Sequence, residues 1–318
     1  MGDPAGIGPE IIAAAWKQLQ TLPDCRCVVY GHPEIMRRAA VLRKIDAQID
    51  CLACCSDDVL DVPPGTVDAR AGQAAYSTIC RAIDDAKNNV VDAIVTGPIH
   101  KAALNQAGYP YPGHTEIFAE QCGVDNYAMM LYLGAGENLD GQYGLAVVHV
   151  TLHAAMKTIF KHITVESVLA KIRLADDFMR KIIGDSRRQP RIGVCALNPH
   201  AGEGGLFGEE EIHFIQPAIA QAASEGLLVE GPESADTIMI DAGDGQYDAV
   251  VAMFHDQGHI ALKLLGMYRA VNITLGLPII RTSVAHGTAF DKAWQGIAEP
   301  GSLIEAVHVA ALLASRAG

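Results

Sequence analysis

Positive charge is scarce in this 318-residue chain: 24 Lys and Arg stand against 37 Asp and Glu, a formal net charge of -13 at pH 7. That balance argues against a nucleic-acid partner, because phosphate backbones select clustered Lys and Arg. An anionic substrate must therefore be held by a local cationic pocket and not by the global field. Half of the residues are hydrophobic (50%), yet no uncharged apolar run approaches the roughly eighteen residues of a membrane span. Met1 leads straight into Gly2-Asp3-Pro4 without the basic and apolar regions of a secretory signal, so a cytoplasmic enzyme with no membrane partner is expected. Internal repeats, low-complexity linkers and long runs of like charge are also missing; Asp185-Ser-Arg-Arg188 reads as a short polar connection. Composition thus marks no domain boundary, and two domains are expected from length alone, which exceeds what one core supports.

Two familiar signatures are absent as well. Cys51-Leu-Ala-Cys54-Cys55 has CxxC spacing, but no second CxxC and no nearby His accompanies it. The eight cysteines are read as core or surface thiols of a reducing compartment, not as a zinc or redox site. Gly2-Asp-Pro-Ala-Gly-Ile-Gly-Pro-Glu10 is not G-x-G-x-x-G and follows no strand. It reads as a tight turn that opens a helix, with Pro9 at the first helical position.

What is present is alternation. Short apolar runs at Cys27–Tyr30, Ala93–Thr96, Ala146–Val150, Ile192–Ala196 and Ala249–Met253 predict buried strands. Between them, helical patterns run over Pro9–Leu19, Gly72–Asn88, Thr164–Ile183 and Glu209–Glu225. This is the pattern of an α/β protein with a largely parallel sheet, whose strand ends carry the chemistry. The polar, Gly-rich stretch from Gly134 to Gly144 predicts a surface loop or hairpin.

Twelve histidines are the first sign of that chemistry, and His153, His200 and His255 each lie just after a predicted strand. Imidazoles are the commonest metal ligands, and a catalytic site needs about three protein ligands with an open position. Any one of them alone is better read as structural; their shared placement favours a site. Asp256, next to His255, can orient a ligand, bind metal or accept a proton, against the plainer role of capping a helix. His149 reads as a hydrogen-bonded core histidine, and His259 lies one turn from His255 with little to support a role. A second group suits an anion: His114 and Thr115 in Gly113-His-Thr-Glu116, then Lys263, Asn272 and Arg281. Each could be an idle surface group, although Arg281 follows the apolar run Leu277-Pro-Ile-Ile280. Gly202-Glu-Gly-Gly205, after His200, lets backbone approach a ligand closely.

Taken in order, Gly2 to Glu10, Thr96-Gly-Pro-Ile-His-Lys101, Gly113 to Glu116, Asn198-Pro-His-Ala-Gly-Glu-Gly-Gly205, His255-Asp-Gln-Gly258, Asn272-Ile-Thr-Leu-Gly-Leu-Pro278 and Arg281-Thr-Ser283 cover nearly the whole chain. Together they resemble the 4-hydroxythreonine-4-phosphate dehydrogenase family of vitamin B6 synthesis. Where that family has a strand ahead of the first turn, this chain has Met1, so its start is read as truncated or misassigned. His286-Gly-Thr-Ala-Phe-Asp291 with Gly296-Ile-Ala-Glu-Pro300 is similar to the cofactor loop of isocitrate and isopropylmalate dehydrogenases, with Phe290 in place of their Pro.

The resemblance implies two α/β/α domains of the isocitrate dehydrogenase kind with the active site in the cleft between them. Residues 1–110 plus 270–318 would bind NAD, through Gly287, Thr288 and Asp291, and residues 111–269 would bind metal and dimerise. It implies a divalent cation (Zn, Mg, Mn or Co) on His153, His200 and His255, shared across a homodimer. Substrate contacts would come from His114, Thr115, Lys263, Asn272 and Arg281, and catalytic groups from Asp256, Asp236 and Lys263. The implied reaction is NAD-dependent oxidation of a phosphorylated β-hydroxy acid followed by decarboxylation. The substrate is 4-phosphooxy-threonine or, on the likeness of His255-Asp-Gln-Gly-His-Ile260, Lys263-Leu-Leu-Gly266 and Leu206-Phe-Gly208 to a sister group, D-threonate or D-erythronate 4-phosphate. Two alternatives stay open. His149-Val-Thr-Leu-His153 is similar to terephthalate cis-dihydrodiol dehydrogenase, and a metal- or nucleotide-binding protein without turnover is the reading from another class.

Overall fold

The computed structural model describes residues 1–136 and 138–316. Along the chain run α1 (Gly8–Leu19), β1 (Val29–Gly31), α2 (Pro33–Leu42), β2 (Cys51–Ala53), α3 (Ala69–Lys87), β3 (Ala93–Thr96), α4 (Lys101–Gln106) and α5 (His114–Cys122). Then follow β4 (Ala128–Leu133), β5 (Leu145–His149), α6 (Met156–Ile159), α7 (Val165–Ile183), β6 (Arg191–Cys195), α8 (Gln216–Ser224), β7 (Leu228–Glu233) and α9 (Ala235–Gly243). The chain continues through β8 (Ala249–Ala252), α10 (His255–Gly266), β9 (Val271–Leu275), β10 (Ile280–Val284) and α11 (Gly301–Ser315). Two compact units result: Met1–Asp125 with Leu277–Ser315, and Asn126–Gly276 with Arg316.

In the first unit, β1 pairs with β2 and β3 with β10, both parallel. Pro9 starts α1, and its apolar stripe of Ile11, Ile12, Ala15, Trp16 and Leu19 is buried in one cluster with Leu303 and Val307 of α11. A second cluster joins Ile79 and Ile83 of α3, Leu104 of α4, and Ile117 and Phe118 of α5. Helices α3 and α4 can touch because position 72 is glycine: a Cβ there would lie 2.1 Å from the Ala103 carbonyl oxygen. Residues 111–125, expected in the other domain, belong to this unit, because burying Ile117 and Phe118 against α3 anchors α5 here.

Within the second unit the strand order is β9-β4-β5-β8-β6-β7. β5, β8, β6 and β7 are mutually parallel, while β4 is antiparallel to both β5 and β9. Every residue of β5 and β8 is buried, as expected for parallel strands covered on both faces. Thr164 caps α7 in a reciprocal bond with Ser167, and Val168, Leu169, Ile172, Ala175 and Met179 turn inward. The Gly134–Gly144 stretch joins antiparallel β4 and β5 as a hairpin connection, apart from residue 137, which lies outside the described residues.

The expected strand at Cys27–Tyr30 is displaced to Val29–Gly31, paired with Cys51–Ala53. The expected helix over Glu209–Glu225 divides into a wide turn at Glu211–Ile215 and an α-helix from Gln216. Pro217 is the reason: it has no N–H to give and fits only the first turn of the second piece.

Candidate active site

Three parallel strands, β5, β8 and β6, lie side by side in register, with His149 opposite Ala252 and Val194 opposite Val251. Their carboxyl ends therefore leave one edge together, where open α/β sheets bind ligands. His153 follows β5, His255 follows β8 and His200 follows β6. The exits of β5 and β8 are tied: Val150 and Thr151 donate backbone N–H to Ala252 and Met253, and Thr151 Oγ1 adds a 2.8 Å bond to the Met253 carbonyl.

The first turn of α10 has a division of labour. His255 Nδ1 lies 2.6 Å from Asp256 Oδ1, which leaves Nε2 as the ring nitrogen with a lone pair for a cation. Gln257 clamps two strand ends, accepting from Met253 N at 2.6 Å and donating to the Ala196 carbonyl at 2.7 Å. Position 258 admits only glycine: a Cβ would lie 2.5 Å from Val147 Cγ1 and 2.7 Å from His149 Nε2. His255 and His153 have ring centroids 6.4 Å apart.

Behind His255, His259 stacks at 3.7 Å and 12°, and its Nδ1 is 3.0 Å from Nε2 of His149. Burial pushes both down, His149 to about 4 and His259 to about 2; His149, His255 and Lys263 further oppose protonation of His259. Both rings are therefore neutral at pH 7.

His200 is held differently. Residues His200 to Gly204 all take left-handed backbone angles, including the non-glycines His200, Ala201 and Glu203, so the expected close-approach loop is a strained one. Buried Glu211 pins its start by accepting from the N–H groups of Leu197 and Asn198 and from Asn198 Nδ2. Burial alone would raise its carboxyl, but these bonds outweigh it and lower it. His200 lies 6.3 Å from Phe207 between ring centroids. It acts on Asp236, whose carboxyl is lowered first by the Ser234 hydroxyl. The structure thus places the His153 and His255 rings 6.4 Å apart, while His200 is the least of the influences that lower Asp236. Among the described residues no three His, Cys, Asp or Glu side chains converge into a cation cage. The donor chemistry suits a divalent cation, but the chain supplies only part of a set at one point.

In the first unit, β3 and β10 place Thr96 opposite Ser283. Arg281 is buried, donates from Nη2 to Thr96 Oγ1 at 2.7 Å, and covers the Phe118 ring at 5.4 Å. Burial pushes its guanidinium down to about 9, while Glu116 nearby works to raise it. His114, at the start of α5, is held well below its ordinary value by burial and then by Arg281, so it is neutral. Its Nε2 is buried without a partner. A helix start, a buried guanidinium and an unpartnered ring nitrogen make a site for an anion. In the second unit, Asn272 on β9 also has a buried Oδ1 without a partner, and Lys263 on α10 is half-buried.

The first and last motifs of the chain meet within the first unit. Ile7 N donates to the Thr288 carbonyl, Trp294 Nε1 to the Pro4 carbonyl, and Gly296 N to the buried Glu10 carboxylate. A Cβ on Gly6 would lie 3.0 Å from Thr288 Cβ, so glycine permits the approach. Phe290 stacks on His100 at 4.5 Å, and a Cβ on Gly287 would meet nothing within 4 Å. That open backbone beside the buried, unpartnered Nε2 of His286 has room and polarity for a nucleotide cofactor.

The family model of the pyridoxal phosphate biosynthetic protein PdxA matches residues 23–310. The chain belongs to this family. Among its PdxA relatives, D-threonate 4-phosphate dehydrogenase of Pectobacterium atrosepticum is 43% identical over 99% of this chain and 98% of its own. The 4-hydroxythreonine-4-phosphate dehydrogenase of Beijerinckia indica is 45% identical over 98% and 93%. The crystal structure of 4-hydroxythreonine-4-phosphate dehydrogenase from Klebsiella pneumoniae is similar with a TM-score of 0.82 at 40% identity, covering 99% and 98%. An isocitrate dehydrogenase from Methylococcus capsulatus, 16% identical with a TM-score of 0.51 over 100% of this chain and 84% of that one, shares the fold. As a PdxA member at this identity and coverage, the chain is an oxidoreductase acting on a CH–OH group. Among the described residues no helix is long and apolar enough to cross a membrane.

Proposed function

We propose that this chain oxidises a phosphorylated β-hydroxy acid with NAD and then decarboxylates the keto acid formed. The substrate is 4-phosphooxy-threonine or D-threonate 4-phosphate, which the names of its relatives carry, or the related D-erythronate 4-phosphate. The observation that carries this reading is buried Arg281 beside the unpartnered Nε2 of His114 at the start of α5. A planar, charged donor fork and an imidazole at a helix start supply the charge and the donors that a phosphate accepts. With Thr115, these residues hold the phosphate; Asn272 and Lys263 hold the remaining oxygens.

Gly287, Thr288 and Asp291 bind NAD, which makes the first unit the cofactor domain. His153, His255 and His200 hold the divalent cation, with His200 given across a homodimer, which makes the second unit the metal and dimer domain. When bound, NAD would take the hydride from the carbinol carbon, and the cation would supply Lewis-acid polarisation of the hydroxyl oxygen on that carbon. The chain's own residues do the rest. Asp256 keeps His255 in place through Oδ1 and takes the hydroxyl proton on Oδ2. The ammonium of Lys263 holds the carboxylate until CO2 leaves. Asp236, whose carboxylate the Ser234 hydroxyl holds, supplies the negative charge that favours a cation near His200. A cytoplasmic location fits this metabolic role.

The test is NADH formation by purified protein with NAD, one divalent cation at a time, and matched phosphorylated and unphosphorylated acids. Turnover should require the phosphate and release CO2. Equal efficiency without the phosphate would sink the reading.

A further inference from the structure

The proposed function leaves two buried imidazoles unused, His149 at the end of β5 and His259 in α10. They sit where helix and strand come closest, since only a glycine at 258 lets α10 reach His149. Their hydrogen bonds have a fixed direction. His149 Nδ1 faces the Met129 carbonyl at 3.4 Å, and a carbonyl can only accept, so Nδ1 carries the hydrogen. Nε2 of His149 is then an acceptor, and the partner 3.0 Å away, Nδ1 of His259, must donate. The chain of bonds runs from helix to strand and locks the His259 ring. On its outer face lies His255, with centroids 3.7 Å apart and planes within 12°.

Two core histidines satisfying each other would account for the hydrogen bond. They would not account for a polar pair where Leu or Phe would pack at less desolvation cost. The pair gives what an aliphatic side chain does not: a flat ring whose own orientation is pinned from behind. We infer that His259 is a positioning residue for His255, a floor locked by His149 that sets the plane of the His255 ring while Asp256 sets its edge. Rotation about either axis would swing Nε2 away from the direction in which it meets a cation. The inference rests on His255 being a cation ligand, as proposed above.

The experiment reads ring order and cation binding separately. In metal-free, isotopically labelled wild-type protein, NMR should find His149 and His259 both as the Nδ1–H tautomer, and His255 as one sharp ring signal. In His259→Ala the His255 signal should broaden or double, and titration with Mn2+ or Zn2+ alone should give affinity about tenfold weaker. His259→Phe, which keeps a flat face, should recover affinity to within about threefold of wild type. The opposite tautomers, or a His255 signal in His259→Ala like that of wild type, would overturn the inference. His255→Ala is the separate control: wild-type cation affinity there removes the metal reading, whereas the metal-free His255 signal still decides whether His259 positions that ring.

Discussion

The Asp256 carboxylate accepts from His255 Nδ1 at 2.6 Å, in a pair whose side chains are 71% and 38% exposed. A pair so open to water adds little to folding, on the order of 0–1 kcal/mol. Its value lies in orienting the ring and keeping Nε2 available. Asp256→Asn keeps the shape and the acceptor but removes the charge. Thermal stability should hardly move, while divalent-cation affinity by calorimetry should fall about tenfold and kcat by roughly 10²-fold or more if the carboxylate also takes a proton. A cation affinity equal to wild type would remove Asp256 from the site.

Arg281 tests the phosphate. Its guanidinium is buried between Thr96 and the Phe118 ring, next to neutral His114. Arg281→Lys keeps a charge but loses the planar fork, and Arg281→Ala loses both. A charge-assisted hydrogen bond contributes about 1.5–3 kcal/mol, so kcat/KM for the phosphorylated acid should drop about 10- to 100-fold in the alanine variant, and less in the lysine one. The dissociation constant for NAD, measured by fluorescence titration, should stay the same. Parallel losses for both ligands would mean that Arg281 supports the unit and not the substrate.

How much of this was legible beforehand depends on the range of the interaction. Local signals sufficed for β3, found at the expected Ala93–Thr96, and for α7 with its Thr164 cap. The histidines after β5, β6 and β8 were visible because strand ends can be read from apolar runs. The sequence does not single out Gln257 and Glu211, because each works by holding backbone groups of other strands or loops: Ala196 for one, Leu197 and Asn198 for the other. The glycine at 258 had no visible purpose until β5 was laid beside α10. From the sequence His149 reads as a core histidine, and only the helix–strand contact shows its 3.0 Å bond with His259. Likewise the chain divides after Asp125 and not near residue 110, since α5 buries its apolar face in the first unit. The partial histidine group is illegible for a related reason: a sequence lists ligands without saying which converge.

Asp3 gives a pH dependence with a definite sign. Burial raises its carboxyl from 3.8 to about 6, against the opposing N–H of Ala5. The folded state thus holds the proton more tightly than the unfolded one. Stability from this group is full below pH 3.8 and is lost as pH rises through about 6. A shift of this size corresponds to at most about 3 kcal/mol. Asp3→Asn keeps an acceptor for Ala5 and cannot ionise. By urea unfolding it should be more stable than wild type at pH 8 and no more stable at pH 4. A difference that is the same at both would show that burial does not perturb Asp3.

The proposed homodimer is tested on α10 itself. Its outer face carries Ile260 and Leu264, and Met267 and Tyr268 follow in the turn after its last residue, all exposed, with Leu264 at 82%. Four large apolar side chains on one stripe form a patch that monomers rarely leave open. Pairing that stripe with a second copy would cover it, and would bring in the imidazole missing from the His153 and His255 group. Leu264→Glu puts a charge on the stripe without touching the buried side of the helix. Sedimentation should change from a dimer to a monomer with an unchanged circular dichroism spectrum, and divalent-cation affinity should fall together with the dimer fraction. If wild type sediments as a monomer at micromolar concentration, or if the variant stays dimeric, this stripe is not the contact. If the monomeric variant binds the cation as tightly as wild type, the ligand set is complete within one chain, and His200 must reach His255 by a movement of its own strained loop.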